Sequence, residues 1–422
     1  MRIVMMALGS RGDVQPFAAL AAGLAARGHD VRMLADPTFA DLFTGRGVTL
    51  IPTHGDVRQD MRSDVVRRIF DERASPFALA RAMRSLGEQY AEGWTRDLLR
   101  HAADADLILP TGSAVFIGAS VAEALGKPCI HAYPQPIMPT RYSPSALVPP
   151  LRRPMPWSNL VGALLAAQFF WQVFRSGVNR LRREMLGLKP WPFLGPYGVM
   201  RAQHVPMLNG YSPSILPRPA DWPDSIHVTG YWWLDHPDWV MPPDLAAFLA
   251  AGPPPVYIGF GSMMPGDPAA TTAKIVSAVR LAGCRAVLAG GWGGLKLDEP
   301  TPDIFALDAA PHDRLLPHMA AVVHHGGAGT TAAGVRAGVP AVVVPFIADQ
   351  FFWAWRLEKL GVSGGTIRHG ALTADALAAA IRRCLDDQGL RDRAAALGVR
   401  VQAEEGLAAA VRVIEAMGQR FP

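Results

Sequence analysis

Short apolar runs alternate with longer helix-period segments through the first part of the chain. Strand-like runs at 2–8, 31–35, 107–110 and 128–132 are separated by helical patterns such as 14–27 and 114–125. Such alternation implies right-handed crossovers and a parallel sheet. From about 212 to 255 the rhythm gives way to a stretch rich in Pro and Trp, which predicts a linker. It restarts with strand-like runs at 256–260, 285–289, 321–324 and 341–345, followed by three helical segments after Thr373. The expectation is an α/β protein of two doubly wound, Rossmann-like domains facing across a cleft. The first domain is placed at 1–215, the linker at 216–243 and the second domain at 244–400. A C-terminal helix within 401–422 is expected to pack back on the first domain.

Composition narrows the class. A chain of 422 residues exceeds one ordinary core of about 100–200 residues, and half of it is apolar against 18% charged, enough for two cores. The net charge of +5 comes from scattered arginines and not from basic runs, so no nucleic-acid partner is expected. Cys129, Cys284 and Cys384 form no CxxC or metal-ligand spacing, which suits a reduced, cytoplasmic protein. The N-terminus reads as a first strand and not as a signal peptide. Residues 154–174 carry no charge, and three readings are open for them: a bilayer span, an interfacial or acceptor-lining helix giving peripheral membrane contact, or a core helix. Pro154, Pro156, Asn159, Gln168 and Gln172 interrupt the apolar run and weigh against the span.

Ligands of open parallel sheets bind past the carboxyl ends of the strands, so the loops there are searched for chemistry. The strongest is HHGGAGTT, His324 to Thr331, lying between a strand and a helix. Glycines let backbone N–H groups approach an anion, and the helix start adds partial positive charge, so Gly326, Gly327, Ala328 and Gly329 suit a diphosphate. His325 and Thr330 can add hydrogen bonds. Gly261 and Ser262 in GFGSM offer a second, weaker anion contact. Asp349 and Gln350 can hold sugar hydroxyls, although Asp349 also reads as a helix cap. Asp13, closing GSRGD, is placed as the base that takes a proton from an attacking hydroxyl, with His54, His131 and Asp349 as fallbacks and an N-cap role as the plain alternative. Neither GxGxxG nor GxxxxGK[ST] occurs, which disfavours an oxidoreductase or a kinase-like enzyme. The DxD string Asp104-Ala105-Asp106 precedes a strand, at the wrong end of the sheet for a metal-bound diphosphate. No metal is expected.

Together, GSRGDVQP from Gly9, GYSPSILPRPADWPDSIHVTGYWWLD from Gly210, PPVYIGFGSM from Pro254 and the long HHGGAGTTAAGVRAGVPAVVVPFIADQFFWAWRLEKLGV from His324 resemble the UDP-glycosyltransferase superfamily. The nearest branch looks like the sterol 3-beta-glucosyltransferases and the bacterial antibiotic and glycolipid transferases. The resemblance implies a GT-B fold and inverting transfer of a hexose, glucose from UDP-glucose above all, to a lipophilic hydroxyl. The nucleotide sugar would be a co-substrate, with no cofactor. It implies Asp13 as base, His325 and the residues after it at the diphosphate, Asp349 and Gln350 at the sugar, and the loop from Leu307 to His312 at the nucleotide base. Ala333 stands where plant members carry a ribose-clamping Glu, which keeps a dTDP-sugar open beside UDP. Plant members also use a His where this chain has Asp13. The acceptor is assigned to the first domain, within 56–100 and 133–200, with Arg11, His54, Phe77, His131, Trp157, Phe170 and Trp171 as candidates. A catalytically silent carbohydrate- or lipid-binding protein is the rival from another class.

Overall fold

The computed structural model describes residues 1–55, 63, 76–151, 153–263, 266–297, 299 and 301–418. Parts of the expected acceptor stretch, 56–62 and 64–75, and Met264 lie outside the described residues.

Among the described residues, seven parallel strands build the first domain, four in one ladder and three in a second that two bridges join to it. β1 (Arg2–Met6), β2 (Asp30–Ala35), β3 (Val48–Pro52) and β4 (Leu107–Pro110) run in the order β3-β2-β1-β4. Bridges Ile108↔Cys129 and Thr111↔Ala132 join this ladder to β5 (His131–Tyr133), β6 (Met207–Asn209) and β7 (Ile226–Val228). In β1, residues Ile3 to Met6 are wholly buried, because helices cover both faces; that is why the strand reads as an unbroken apolar run. The second domain's sheet has the order β10-β9-β8-β11-β12-β13. Its strands are β8 (Val256–Gly259), β9 (Ala286–Ala289), β10 (Ile304–Leu307), β11 (Ala321–His324), β12 (Ala341–Val343) and β13 (Ser363–Thr366), all parallel.

The segment expected to be a linker, 216–243, is partly a strand. β7 completes the first domain's second ladder, so that domain runs to about Val228 and the connection shrinks to the residues before the Pro243–Ala250 helix. Its Trp222, Tyr231 and Trp233 are packed between the domains. Tyr211, Ile215, Trp222 and Tyr231 share one buried core with Ala332, Val335, Phe352, Trp353 and Leu357 of the second domain. Polar ties reinforce the wedge: Ser212 donates to Glu404 Oε1 at 2.6 Å, the Arg356 guanidinium donates to the Ile215 carbonyl, and Arg336 pairs with Asp235 while lying over Trp233.

The Gly406–Gly418 helix crosses back to the first domain. Ala410, Val411 and Ile414 enter its core, and Leu407 lies against Gly23 of the Arg11–Ala26 helix. A Cβ on Gly23 would stand 3.0 Å from Leu407 Cδ1, so the two helices approach at a glycine. Both sheets point their carboxyl ends at the interdomain cleft.

Candidate active site

The Gly9–Asp13 turn leaves β1 and starts the Arg11–Ala26 helix. Asp13 Oδ2 accepts from the Ser10 backbone N–H at 2.8 Å and from the Ser10 hydroxyl at 2.9 Å. A side chain at Gly9, whose φ is +127°, would strike Asp13, so this glycine fits the turn both sterically and conformationally. The other carboxylate oxygen, Oδ1, accepts no hydrogen bond from a described residue. Burial raises the carboxyl's proton affinity, and the two Ser10 contacts partly offset it.

Asp13 forms one wall of a cavity of about 1330 Å³ whose lining is mostly apolar. It runs between the Pro76–Ala102 and Pro156–Glu184 helices of the first domain and is closed at its inner end by Ala348 and Asp349 of the second. Asp349 precedes the Gln350–Lys359 helix and accepts from Trp353 Nε1 at 3.0 Å. Its carboxyl is pushed up to about 7: burial dominates, the Asp13 charge across the cleft adds to it, and hydrogen bonds from Trp353 and Gln135 oppose. The two carboxylates, one from each domain, therefore face a single space, and Asp349 feels the charge of Asp13.

On the second domain, β11 delivers His325 and Gly326, and Gly327 caps the Ala328–Arg336 helix in extended conformation. The first N–H groups of that helix have no partner within it and face the cleft end of the sheet. His325 lies against the loop after β8, which the loop after β9 backs in turn. A Cβ on Gly261 would sit 3.0 Å from its Cε1 and one on Gly327 2.3 Å from its Nε2, while the Gly261 carbonyl accepts from Trp292 N–H at 3.1 Å. Ser262 follows Gly261 in this turn. Burial, with the neighbouring His312, holds the His325 imidazole down at about 4, so it is neutral at pH 7 and donates through one nitrogen only. His312 begins the His312–Leu315 helix, contacts Tyr257 Oη at 3.2 Å, and is likewise held at about 4. Leu307 ends β10, its carbonyl bonded to Gly290 N–H. Thr330 is partly exposed at the helix start, whereas Thr331 is buried beneath it.

Several expected contacts are corrected. Gln350 is 4% exposed, its Oε1 accepts from Phe346 and Ile347 N–H, and its Nε2 points at the Met263 sulfur, so its amide serves the preceding turn and Asp349 faces the cavity alone. Trp171 is fully buried against Phe116 and Trp191; successive helical residues lie about 100° apart, so Phe170 lines the cavity and Trp171 faces the core. Phe77 and Trp157 are exposed and stand outside the lining of this cavity. Arg11 points to the outer lip, where it bonds Gln15 and Asp41 and its charge reaches His312 on the donor side. His54 and His131 do line the cavity. His54 Nδ1 lies 2.7 Å from Asp97 Oδ2, and burial holds the His131 imidazole down at about 4.

Gln135 and Asp97 were not anticipated. Gln135 lies two residues beyond β5, where the strand-end rule applies equally; Asp97 sits inside a long helix and gives no local signal. The DxD carboxylates lie at the opposite end of the sheet, Asp104 paired with Arg32 and Arg2, and Asp106 with Arg2.

Two parallel sheets joined by an aromatic wedge, with a glycine-rich helix start on one lip and a carboxylate turn on the other, form the two-domain architecture of the GT-B glycosyltransferases. Residues 3–93 match the glycosyltransferase family 28 N-terminal domain, and residues 296–417 match the erythromycin biosynthesis protein CIII-like C-terminal domain. The chain belongs to the glycosyltransferases and is similar to the sterol 3-beta-glucosyltransferases. It is 36% identical to that of Neosartorya fischeri over 98% of its own length and 29% of the relative's, and 36% identical to that of Cryptococcus neoformans over 98% and 27%. The chain thus spans under a third of these relatives. Among solved structures, the kitacinnamycin glycosyltransferase aligns with a TM-score of 0.73 at 20% identity over 100% and 99% of the two chains. The glycosyltransferase VinC in complex with dTDP aligns at 0.66 and 20% over 100% of both. These two likenesses establish the fold.

Proposed function

We propose that the protein transfers a hexose from a nucleoside diphosphate sugar to the hydroxyl of a sterol-like alcohol, with inversion and without a metal. One observation carries this reading: Asp13 and Asp349, from opposite domains, share the inner end of an apolar cavity large enough for a polycyclic lipid. The acceptor enters with its hydroxyl toward Asp13. As its oxygen attacks the anomeric carbon, Asp13 Oδ1 takes the hydroxyl proton, and the carbon–oxygen bond to the diphosphate breaks on the opposite face. The leaving diphosphate takes the bonding pair. Its charge is met by the N–H groups at the start of the Ala328–Arg336 helix and by a neutral N–H of His325. Asp349 holds a sugar hydroxyl, and with a carboxyl near 7 it can donate as well as accept.

The names of the relatives favour UDP-glucose and a sterol. A second donor reading has its own support: Ala333 leaves the ribose without a carboxylate partner, and VinC carries dTDP. A mass-spectrometric screen of UDP- and dTDP-hexoses against sterols, macrolides and glycolipids tests both. Glucosylated sterol from UDP-glucose is the expected product. Tight nucleotide binding with no transfer to any alcohol would reject the enzymatic reading.

A further inference from the structure

The Pro156–Glu184 helix does two things at once. Its inner face lines the cavity through Leu160, Phe170 and Phe174, and its outer face is largely bare. Trp157, Val161, Leu164 and Leu165 follow the helical repeat along that outer face and are between 46% and 66% exposed. Phe193 and Leu194 extend the stripe; their loop is pinned to the helix because the Phe193 carbonyl accepts from Trp171 Nε1 at 3.0 Å and Gln172 Nε2 at 2.8 Å. An apolar strip this continuous is unusual on a surface that meets only water. Among the described residues, no helix is long and apolar enough to cross a membrane, so the strip is a face and not a span.

Charge points to the partner. Between Glu123 and Glu184 the chain has no Asp or Glu; of the seven arginines in that interval, Arg180 and Arg182 are paired with Glu92 and Glu123. Arg141 and Arg153 flank the apolar strip, and Arg201 stands at the cavity wall beyond Leu194; all three are exposed, and none forms an ion pair with a described residue. Aromatic and aliphatic side chains bordered by unpaired cations match the interface of an anionic bilayer, where apolar groups sink to acyl depth and arginines meet lipid phosphates. Cavity and strip also share residues: Leu164, Leu165 and Leu194 are at once exposed and part of the lining, so the cavity opens through the strip.

We infer that this face docks on an anionic lipid bilayer and that the acceptor passes from the bilayer into the cavity between Leu164, Leu165 and Leu194. The docking surface stands on its own observations; the route for the acceptor rests on the function proposed above.

The test is flotation of the full chain with vesicles of phosphatidylcholine alone or mixed with phosphatidylglycerol, at low and high salt. The chain should float with the mixed vesicles, and binding should fall at high salt as the arginine contacts are screened. The double variant Trp157→Glu/Val161→Glu changes two exposed positions that line no cavity, and should reduce vesicle binding at least about tenfold. Its melting temperature and its transfer to acceptor dispersed in detergent should match the parent. Val399→Glu, an equally exposed change on the second domain, should float as the parent does. Absence of flotation by the parent, or undiminished flotation of the double variant, overturns the inference. So does a concentration-dependent dimer that the double variant abolishes, since the strip would then be covered by a second copy. Flotation is scored without transfer, so an inactive but vesicle-bound protein would count against the proposed reaction and not against the docking face.

Discussion

Replacing Asp349 with Asn is expected to stabilise the ligand-free protein, and only where the native carboxyl would be ionised. Burial is the main reason this carboxyl rises from an ordinary 3.8 to about 7, and the Asp13 charge adds to it. The folded chain therefore binds more protons than the unfolded one between those two values, and stability falls as pH rises through that window. Above it the penalty is complete. A shift of this size corresponds to at most about 4 kcal/mol, less where water reaches the carboxylate. Asn carries no charge and keeps an oxygen to accept from Trp353 Nε1, and the native side chain makes no capping bond to the helix that would be lost. Calorimetric melts of parent and variant across pH would show matching curves near about pH 4 and a gain for the variant of several degrees near about pH 8. With Asp13→Asn as the background, the gain should set in at the same pH, which the unfolded carboxyl fixes, but level off at a lower pH and a smaller size, because the opposing charge is gone. A gain of equal size at both ends of the range, or a loss at alkaline pH, would falsify the view that a buried, like-charged pair closes the cavity.

Asp13→Asn should lower turnover by about 10²- to 10⁴-fold while nucleotide affinity by titration calorimetry stays within error; near-normal turnover would move the base to the His54–Asp97 pair. His325→Ala should weaken nucleoside diphosphate binding by about 10- to 100-fold, the worth of one hydrogen bond to a charged group, and unchanged affinity would remove it from the site. Because this imidazole is held at about 4, the affinity for a nucleotide sugar, whose diphosphate has no proton to lose in that range, should show no step between about pH 6 and pH 8; a step removed by His325→Ala would mean a charged His325. Turnover should survive EDTA, and recovery that requires added Mg²⁺ or Mn²⁺ would overturn the metal-free mechanism. Gly326 has φ +91°, and a Cβ there would stand 2.8 Å from Val343 Cγ1, so Gly326→Ala should lower the melting temperature as well as nucleotide binding.

The sequence by itself determined the two α/β halves and the loops where chemistry gathers. Buried parallel strands such as β1 and β11 read as apolar runs, and the loops GSRGD and HHGGAGTT read from residue types that only a tight approach to an anion or a sharp turn demands. Five strands escaped it: β3 and β10 are only partly buried, β6, β7 and β13 are three or four residues long, and β13 is half glycine because Gly364 lies hard against the Ala380 carbonyl. Nor does composition say that the Trp-rich segment is a wedge and not a tether, since aromatic residues suit either until a partner surface is in place. Only the tertiary structure decided which of two adjacent aromatics, Phe170 or Trp171, meets the cavity, and that Gln350 is consumed by its own turn. It also brought Asp13 and Asp349, more than three hundred residues apart, into one space where the Asp13 charge raises the proton affinity of Asp349. Local residue chemistry sets what a side chain can do; packing between distant segments sets whether it is free to do it.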